Sequence, residues 1–191
     1  FEEPLLFASP DWVLGSGALG EVFPCMPDRY PGIERAFRDA YVHYAYDNLA
    51  FGMIDYGDFP QLGTEGREKY MGNSEHDLAH GLLLQFARTG DRMYFMGADA
   101  AVWHTMDIDT IHHTTGSPEV LGGQRAHGDE HGPQLTYASH MWSEGLVEYY
   151  WMTGHPRALE VARGLGECYL RLVELGRSLR GDRNGGWSLI A

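Results

Sequence analysis

The residues best suited to chemistry lie between His127 and Trp142, where three histidines, a tyrosine and a tryptophan fall within sixteen residues. A histidine ring titrates near neutral pH, so it can serve as a general acid or base, and an aromatic face can stack against a sugar ring. Glycine and proline residues around His127 and His131 argue against a helix there. The segment therefore favours acid–base chemistry on a carbohydrate, while Trp142 is equally well explained as a core residue.

A second group of hydrogen-bonding side chains comes just before an apolar helical pattern. Its members fall within eight residues: Asn73, Glu75, Asp77 and His80. Asp77 and His80 have i,i+3 spacing, so both can face the same side of a helix. Helix capping and the helix dipole explain Glu75 and Asp77 equally well, but they explain Asn73 and His80 less well. We expect substrate contacts from this group.

A third motif, Asp-x-Asp followed by His-His, contains Asp107, Asp109, His112 and His113. A metal site is one interpretation, since carboxylates and imidazoles both bind divalent ions. A hard cation needs more oxygen ligands, however, and a zinc site needs a further ligand at a fixed spacing. A hydrogen-bonded structural loop is the favoured interpretation, and no metal or cofactor is predicted.

The elements that must position these residues are indicated by an internal repeat. The ten residues 81–90 recur at 145–154 (81 + 64 = 145), with identical Gly-Leu starts and Thr-Gly ends. Similarity at a fixed offset is typical of stacked supersecondary units, and each copy predicts a helix, a glycine stop and a second helix. The same offset aligns segment 73–80 with segment 137–144 as entrances to two equivalent inner helices.

The predicted fold is all-α, with helical hairpins that form part of an (α/α)6-type toroid over residues 33–191. The predicted helices span residues 33–51, 74–88 with Ser74 as N-cap, 91–107 and 140–152; a fifth begins at Pro156, and a sixth begins near residue 185. Residues 1–32 are rich in proline and glycine and predict an irregular or β connection. Residues 114–139 predict a long loop, and such loops in compact domains are usually functional or disordered.

Composition narrows the possible partners. The net charge of −13, from 27 acidic and 14 basic residues, disfavours nucleic acid and anionic membranes. Cys25 and Cys168 fit neither a disulfide framework nor a metal site, and no segment resembles a signal peptide or a membrane span. The chain begins at Phe1 and ends inside a helical pattern, so we expect a fragment of a longer protein whose remaining domains are partners.

Four segments together resemble the C-terminal α/α-toroid domain of exo-rhamnogalacturonan-lyase-like proteins. They are Tyr56-Gly57-Asp58, residues 72–77, residues 107–113 and residues 139–146. The resemblance implies β-elimination at a uronic acid of a polysaccharide or oligosaccharide substrate, and it favours a secreted or periplasmic location. It implies no cofactor.

The resemblance also implies roles for individual residues. Asn73, together with Gln124 or Arg125, would neutralise the uronate carboxylate so that the α-proton becomes acidic. His127 or His131 would remove that proton, and Tyr137 or His140 would protonate the leaving oxygen. The further substrate contacts expected are Glu75, Asp77, His80, Trp142 and Glu144.

Two other functions remain open from the sequence. A glycoside hydrolase on the same toroid would need two carboxylates that flank the scissile bond, and Glu75, Asp77, Glu130 and Glu144 are candidates. A non-catalytic carbohydrate-binding or scaffold domain is the other alternative.

Overall fold

The computed structural model describes residues 7–42, 54–61, 70–72, 75–125, 131 and 136–177. This part of the chain is mainly helical, which confirms the all-α prediction. Its six α-helices are α1 (Pro10–Ser16), α2 (Pro31–Val42), α3 (Leu78–Thr89), α4 (Arg92–His104), α5 (Glu144–Thr153) and α6 (Pro156–Glu174). Two-residue strands β1 (Pro60–Gln61) and β2 (Tyr70–Met71) pair antiparallel.

The two copies of the sequence repeat form two hairpins with the same stop. Gly90 and Gly154 both adopt the left-handed conformation, with φ of 68° and 73°, and each N–H closes the preceding helix. The hydroxyls of Thr89 and Thr153 both donate to the carbonyl four residues earlier, at 2.7 and 2.6 Å. Each copy thus ends α3 or α5 and turns the chain into α4 or α6.

Several helix boundaries differ from the predictions. A seven-residue helix, α1, lies in the segment expected to be irregular or β. Helix α3 begins at Leu78 with Asp77 as N-cap, and the predicted cap, Ser74, lies outside the described residues. Helix α5 begins at Glu144, four residues later than expected, because residues 138–140 form a separate 3-10 turn. The continuation of α2 beyond Val42 also lies outside the described residues.

The main core lies between α3, α4, α5 and the first turns of α6. Phe86, Phe95 and Tyr149 pack there with Leu83 and Leu146. A Cβ at Gly145 would lie 2.6 Å from the backbone nitrogen of His80, so this glycine lets α5 approach the start of α3. Helices α3 and α5 are therefore in direct contact at their N-terminal ends.

Helix α4 ends in a π-helical turn, Thr105–Asp109, where Thr110 donates its N–H to the Thr105 carbonyl at 3.0 Å. Such wide turns often occur at functional sites. The chain then pairs with part of the long loop, since Arg125 donates its N–H to the Asp109 carbonyl at 2.8 Å. Part of the predicted loop is thus fixed against the end of α4. None of the helices that the structure describes is long and apolar enough to span a bilayer.

Candidate functional site

Four ionisable side chains from distant parts of the chain meet in the interior, and we call them the His–Asp cluster: Asp58, His104, Asp109 and His131. Their exposed fractions are only 6%, 4%, 2% and 5%. The cluster combines the turn before β1, the end of α4, the π-helical turn and the long loop. Buried charged groups are rare unless they are paired or hold an ion, so this group is the first candidate for a functional site.

Gly57 brings the turn before β1 against α4. It has a φ of 95°, and a Cβ at this position would overlap the Ala100 carbonyl, so no other residue fits here without strain. The close approach lets the Nδ1 of His104 donate to the Tyr56 carbonyl at 3.1 Å. That hydrogen bond fixes the His104 ring and directs its Nε2 towards Asp58 and Asp109.

The distances within the cluster define a compact polar centre. The Nε2 of His104 lies 3.3 Å from the Oδ1 of Asp109 and 3.8 Å from the Oδ2 of Asp58. The Nδ1 of His131 lies 3.3 Å from the same Asp109 oxygen, and its Nε2 lies 3.7 Å from the half-exposed carboxylate of Asp55. Neither Nε2 atom has a well-formed hydrogen bond to any residue that the structure describes.

The electrostatics of the cluster favour a proton or another cation on His104. Burial alone would lower the pKa of His104, but the carboxylates of Asp109 and Asp58 outweigh it and raise this pKa above its usual value. Burial likewise opposes the charged form of Asp109, yet His104 and His131 lower the Asp109 pKa. The centre therefore attracts positive charge.

A cavity of about 20 Å³ adjoins the cluster, which is enough for one water molecule or one ion. It is lined by Asp58, His104 and Asp109, and also by Asp77 at the start of α3 and by Trp142 before α5. The cavity thus lies near the N-terminal ends of both α3 and α5.

The structure places the expected substrate residues Asp77, His80 and Glu144 at the junction of α3 and α5. One Asp77 oxygen accepts the His80 N–H at 2.9 Å and the other accepts the Gly145 N–H at 3.0 Å, so a single carboxylate caps both α3 and α5. The His80 ring binds Glu148 at 2.9 Å, and this contact raises the His80 pKa. Glu144 is half-buried in the first turn of α5, and burial raises its pKa.

Glu75 and His140, also expected at the site, form a second buried pair. The Nε2 of His140 lies 2.8 Å from Glu75, while its Nδ1 lies 3.1 Å from the Ser139 hydroxyl. His140 is 5% exposed, so both nitrogens are held inside the protein. Tyr137, the alternative proton donor, is 49% exposed, and its ring centroid lies 5.8 Å from that of His140.

Gln124 and Trp142 are joined to each other. The Gln124 amide donates to the Trp142 carbonyl at 3.0 Å and accepts the Trp142 N–H at 2.6 Å, and Gln124 is only 2% exposed. Its amide therefore shapes the entrance to α5 and is not presented to a substrate. Arg125 is half-buried, and its Nε donates to the Ile108 carbonyl at 3.1 Å.

The Asp-x-Asp-His-His motif is not assembled as one site. Asp107 pairs with Arg157 at the surface at 2.5 Å, and exposed His112 donates to the Met106 carbonyl at 2.6 Å. Only Asp109 enters the His–Asp cluster. Asn73 and His127 lie outside the described residues.

Sequence reasoning missed Asp58 and His104 as site residues. Asp58 was noted only as part of the Tyr56-Gly57-Asp58 segment, and His104 lies inside a helix whose apolar stripe dominates the pattern. The sequence feature that could have identified His104 is its position on α4. Gly97 and Ala101 precede it by seven and three residues, so the three residues lie on one face of the helix, beside the apolar stripe. Such small residues permit a close backbone approach, and a histidine on a buried face needs a partner.

No protein-family model matches the chain, and a comparison with curated proteins found no match. The likeness to α/α-toroid lyases therefore remains a prediction from the four sequence segments.

Proposed function

We propose that the chain is part of an α/α-toroid carbohydrate-active enzyme, a polysaccharide lyase that cleaves uronate-containing polysaccharide by β-elimination. The observation that carries the proposal is the junction of α3 and α5, where Asp77, His80 and Glu144, all expected from the sequence to contact the substrate, lie close together. In a toroid the loops that enter the inner helices share one mouth. The cap that Asp77 provides to both helices holds their N-terminal ends together, which supports this proposal.

Burial separates the candidates for each proton transfer. A base that takes a proton from a polymer must have a reachable ring nitrogen. His131 is 5% exposed and packed against Asp109, which favours His127 as the base. Similarly, His140 is buried against Glu75, while Tyr137 is 49% exposed, which favours Tyr137 as the acid.

Neutralisation of the uronate carboxylate is assigned to Asn73 together with Arg125. Gln124 is only 2% exposed, and its amide bonds the Trp142 backbone through both its oxygen and its nitrogen, which favours Arg125 for this role. Arg125 is half-buried beside Asp109 in the long loop. A guanidinium matches a carboxylate in both charge and geometry.

The glycoside hydrolase alternative is weakened because two of its candidate carboxylates, Asp77 and Glu75, already bind other groups of the protein. Both oxygens of Asp77 accept backbone N–H groups, and Glu75 binds His140. A pair of hydrolytic carboxylates must instead face the scissile bond from both sides.

The test is to incubate the chain with pectic and algal uronate polysaccharides while measuring ultraviolet absorbance and reducing ends. A lyase produces a conjugated double bond, so absorbance rises together with reducing ends. We expect His127→Ala and Tyr137→Phe each to lower the rate by roughly 100-fold or more. His113→Ala, which changes an exposed histidine at the start of the same loop, is the control and should retain the wild-type rate.

Two results would refute the lyase assignment. Reducing ends without absorbance would identify a hydrolase. Saturable polysaccharide binding without product of either kind would identify a binding or scaffold domain.

A further inference from the structure

We propose that Asp58, His104 and His131 form a binding site for a divalent transition-metal ion of the zinc class. Each residue offers one ligand atom, and the three atoms lie within 4.8 Å of one another. This inference concerns ion binding and does not depend on the lyase proposal.

The donor set favours a borderline ion over a hard one. Two imidazole nitrogens and one carboxylate oxygen are typical of catalytic zinc sites and of other first-row transition-metal sites. Calcium and magnesium prefer six or more oxygen ligands, counting waters. Two of the three ligands offered here are imidazole nitrogens, which suit neither of these ions.

Both histidines are oriented as metal ligands usually are. A ligating imidazole commonly donates its other ring N–H to a carbonyl or carboxylate, which fixes the ring. Here the Nδ1 of His104 donates to the Tyr56 carbonyl at 3.1 Å. The Nδ1 of His131 faces Asp109 at 3.3 Å. In each ring Nε2 is left as the possible ligand.

The two Nε2 atoms also lack a well-formed hydrogen bond among the residues that the structure describes. Both atoms are buried. A buried polar atom without a partner costs free energy. One ion between the rings of His104 and His131, whose centroids are 4.9 Å apart, would satisfy both.

The spacing fits an ion after a small adjustment. Ligands at about 2.0–2.2 Å from a tetrahedral ion lie roughly 3.4 Å apart. The Nε2 of His104 and the Oδ2 of Asp58 are 3.8 Å apart, so side-chain movements of roughly 1 Å or less would close the site. The adjoining cavity of about 20 Å³, lined by Asp58 and His104, has room for a water molecule as the fourth ligand.

The physical consequence of binding is a link between three segments that are distant in the chain. The ion would join the turn before β1, the end of α4 and the long loop. Because an ion that binds only the folded state stabilises it, binding raises the melting temperature. It also fixes the position of His131 relative to the end of α4.

The competing explanation is a proton in place of the ion. A protonated His104 between Asp58 and Asp109 would offset one of their two negative charges without any metal. The two explanations differ in a direct measurement, because only the metal site gives saturable binding of one ion per chain.

The experiment uses the chain treated with a chelator and then titrated calorimetrically with Zn²⁺, and separately with Ca²⁺ and Mg²⁺. We expect one Zn²⁺ per chain with submicromolar affinity and no comparable binding of the other two ions. At a free Zn²⁺ concentration 100-fold above Kd, the melting temperature should rise by about 5–10 °C. Co²⁺ in the same site should give the intense visible bands of a four-coordinate ion.

The variants Asp58→Asn, His104→Gln and His131→Gln should each weaken Zn²⁺ binding by more than about 100-fold. His140→Gln is the matched control, since His140 is equally buried at 5% and also paired with a carboxylate. It should bind Zn²⁺ with wild-type affinity. Circular dichroism of each variant checks that the helices are retained.

The proposal is overturned if the wild-type chain shows no saturable Zn²⁺ binding, or if His104→Gln and His131→Gln bind as tightly as the wild type. If one of these variants fails to fold, the wild-type stoichiometry and Co²⁺ spectrum, with the remaining variants, still decide between the ion and the proton. If the wild-type chain binds Zn²⁺ as expected but shows no lyase activity, only the proposed function is contradicted.

Discussion

Gly81 and Gly145 occupy equivalent positions in the two copies of the repeat, and we predict that alanine has opposite effects at them. A Cβ at Gly145 would lie 2.6 Å from the Oδ1 of Asp77 and 2.7 Å from the Cβ of Ala79. A Cβ at Gly81 would have nothing within 4 Å. Both positions are helical, so only their surroundings distinguish them.

The magnitude follows from three effects. Alanine gains about 0.5–1 kcal/mol over glycine in a helix interior, and at Gly81 this gain is the whole effect. At Gly145 overpacking costs about 1–3 kcal/mol, and displacement of the Asp77 cap costs a further 0.5–2 kcal/mol, roughly. We therefore expect Gly81→Ala to stabilise the fold by about 0.5–1 kcal/mol and Gly145→Ala to destabilise it by about 2 kcal/mol.

The assay is urea denaturation followed by far-ultraviolet circular dichroism, which gives the free energy of unfolding of each variant. For a chain of this size, the loss at Gly145 corresponds to a decrease of roughly 4–8 °C in melting temperature. If Gly145→Ala proved as stable as Gly81→Ala, the close approach of α5 to α3 would be wrong. If both variants lost stability, the open environment assigned to Gly81 would be wrong.

Two further predictions concern stability. Asp77→Ala should lower the free energy of unfolding by about 1–3 kcal/mol, because the Asp77 carboxylate caps two helices. Asp91→Ala removes the cap of α4 alone and should cost about half as much in the same denaturation assay. Equal costs for the two variants would contradict the double cap. Burial alone would raise the pKa of Glu34, but the Arg88 guanidinium 2.6 Å away holds this pKa below its ordinary value of 4.5. Since the folded-state pKa is the lower one, the pair stabilises the fold above about pH 4.5, and this contribution is lost as pH falls through the folded-state pKa. Glu34→Gln should therefore cost roughly 1 kcal/mol at pH 7 and progressively less as pH falls below 4.5, and a cost independent of pH would refute the assignment.

The helical stops could be predicted from the sequence because they are local. A Thr-Gly pair after an apolar helical stripe needs only its own turn, and both copies form the same left-handed cap. The helix starts were not predictable to the residue. Asp77 is the cap of α3 partly because the Gly145 N–H binds its second oxygen. That contact depends on the packing of α5, which no local pattern contains.

The candidate site shows the same division between local and long-range information. The sequence places His131 and Asp109 in separate motifs with separate predicted roles, yet they share one buried centre. The π-helical turn at the end of α4 turns Asp109 back towards His104, five residues earlier. A standard α-helical turn would have placed the two side chains on different faces, since residues five apart are not neighbours on an α-helix.

Asp58 reaches the His–Asp cluster because of the residue before it, Gly57. Gly57 has no Cβ, so the turn before β1 can lie directly on the Ala100 carbonyl and bring both the Tyr56 carbonyl and the Asp58 carboxylate to His104. The Tyr56-Gly57-Asp58 segment therefore acts through its backbone as much as through its carboxylate. Any larger residue at Gly57 should separate Asp58 from His104 and weaken Zn²⁺ binding, even though every ligand side chain is still present.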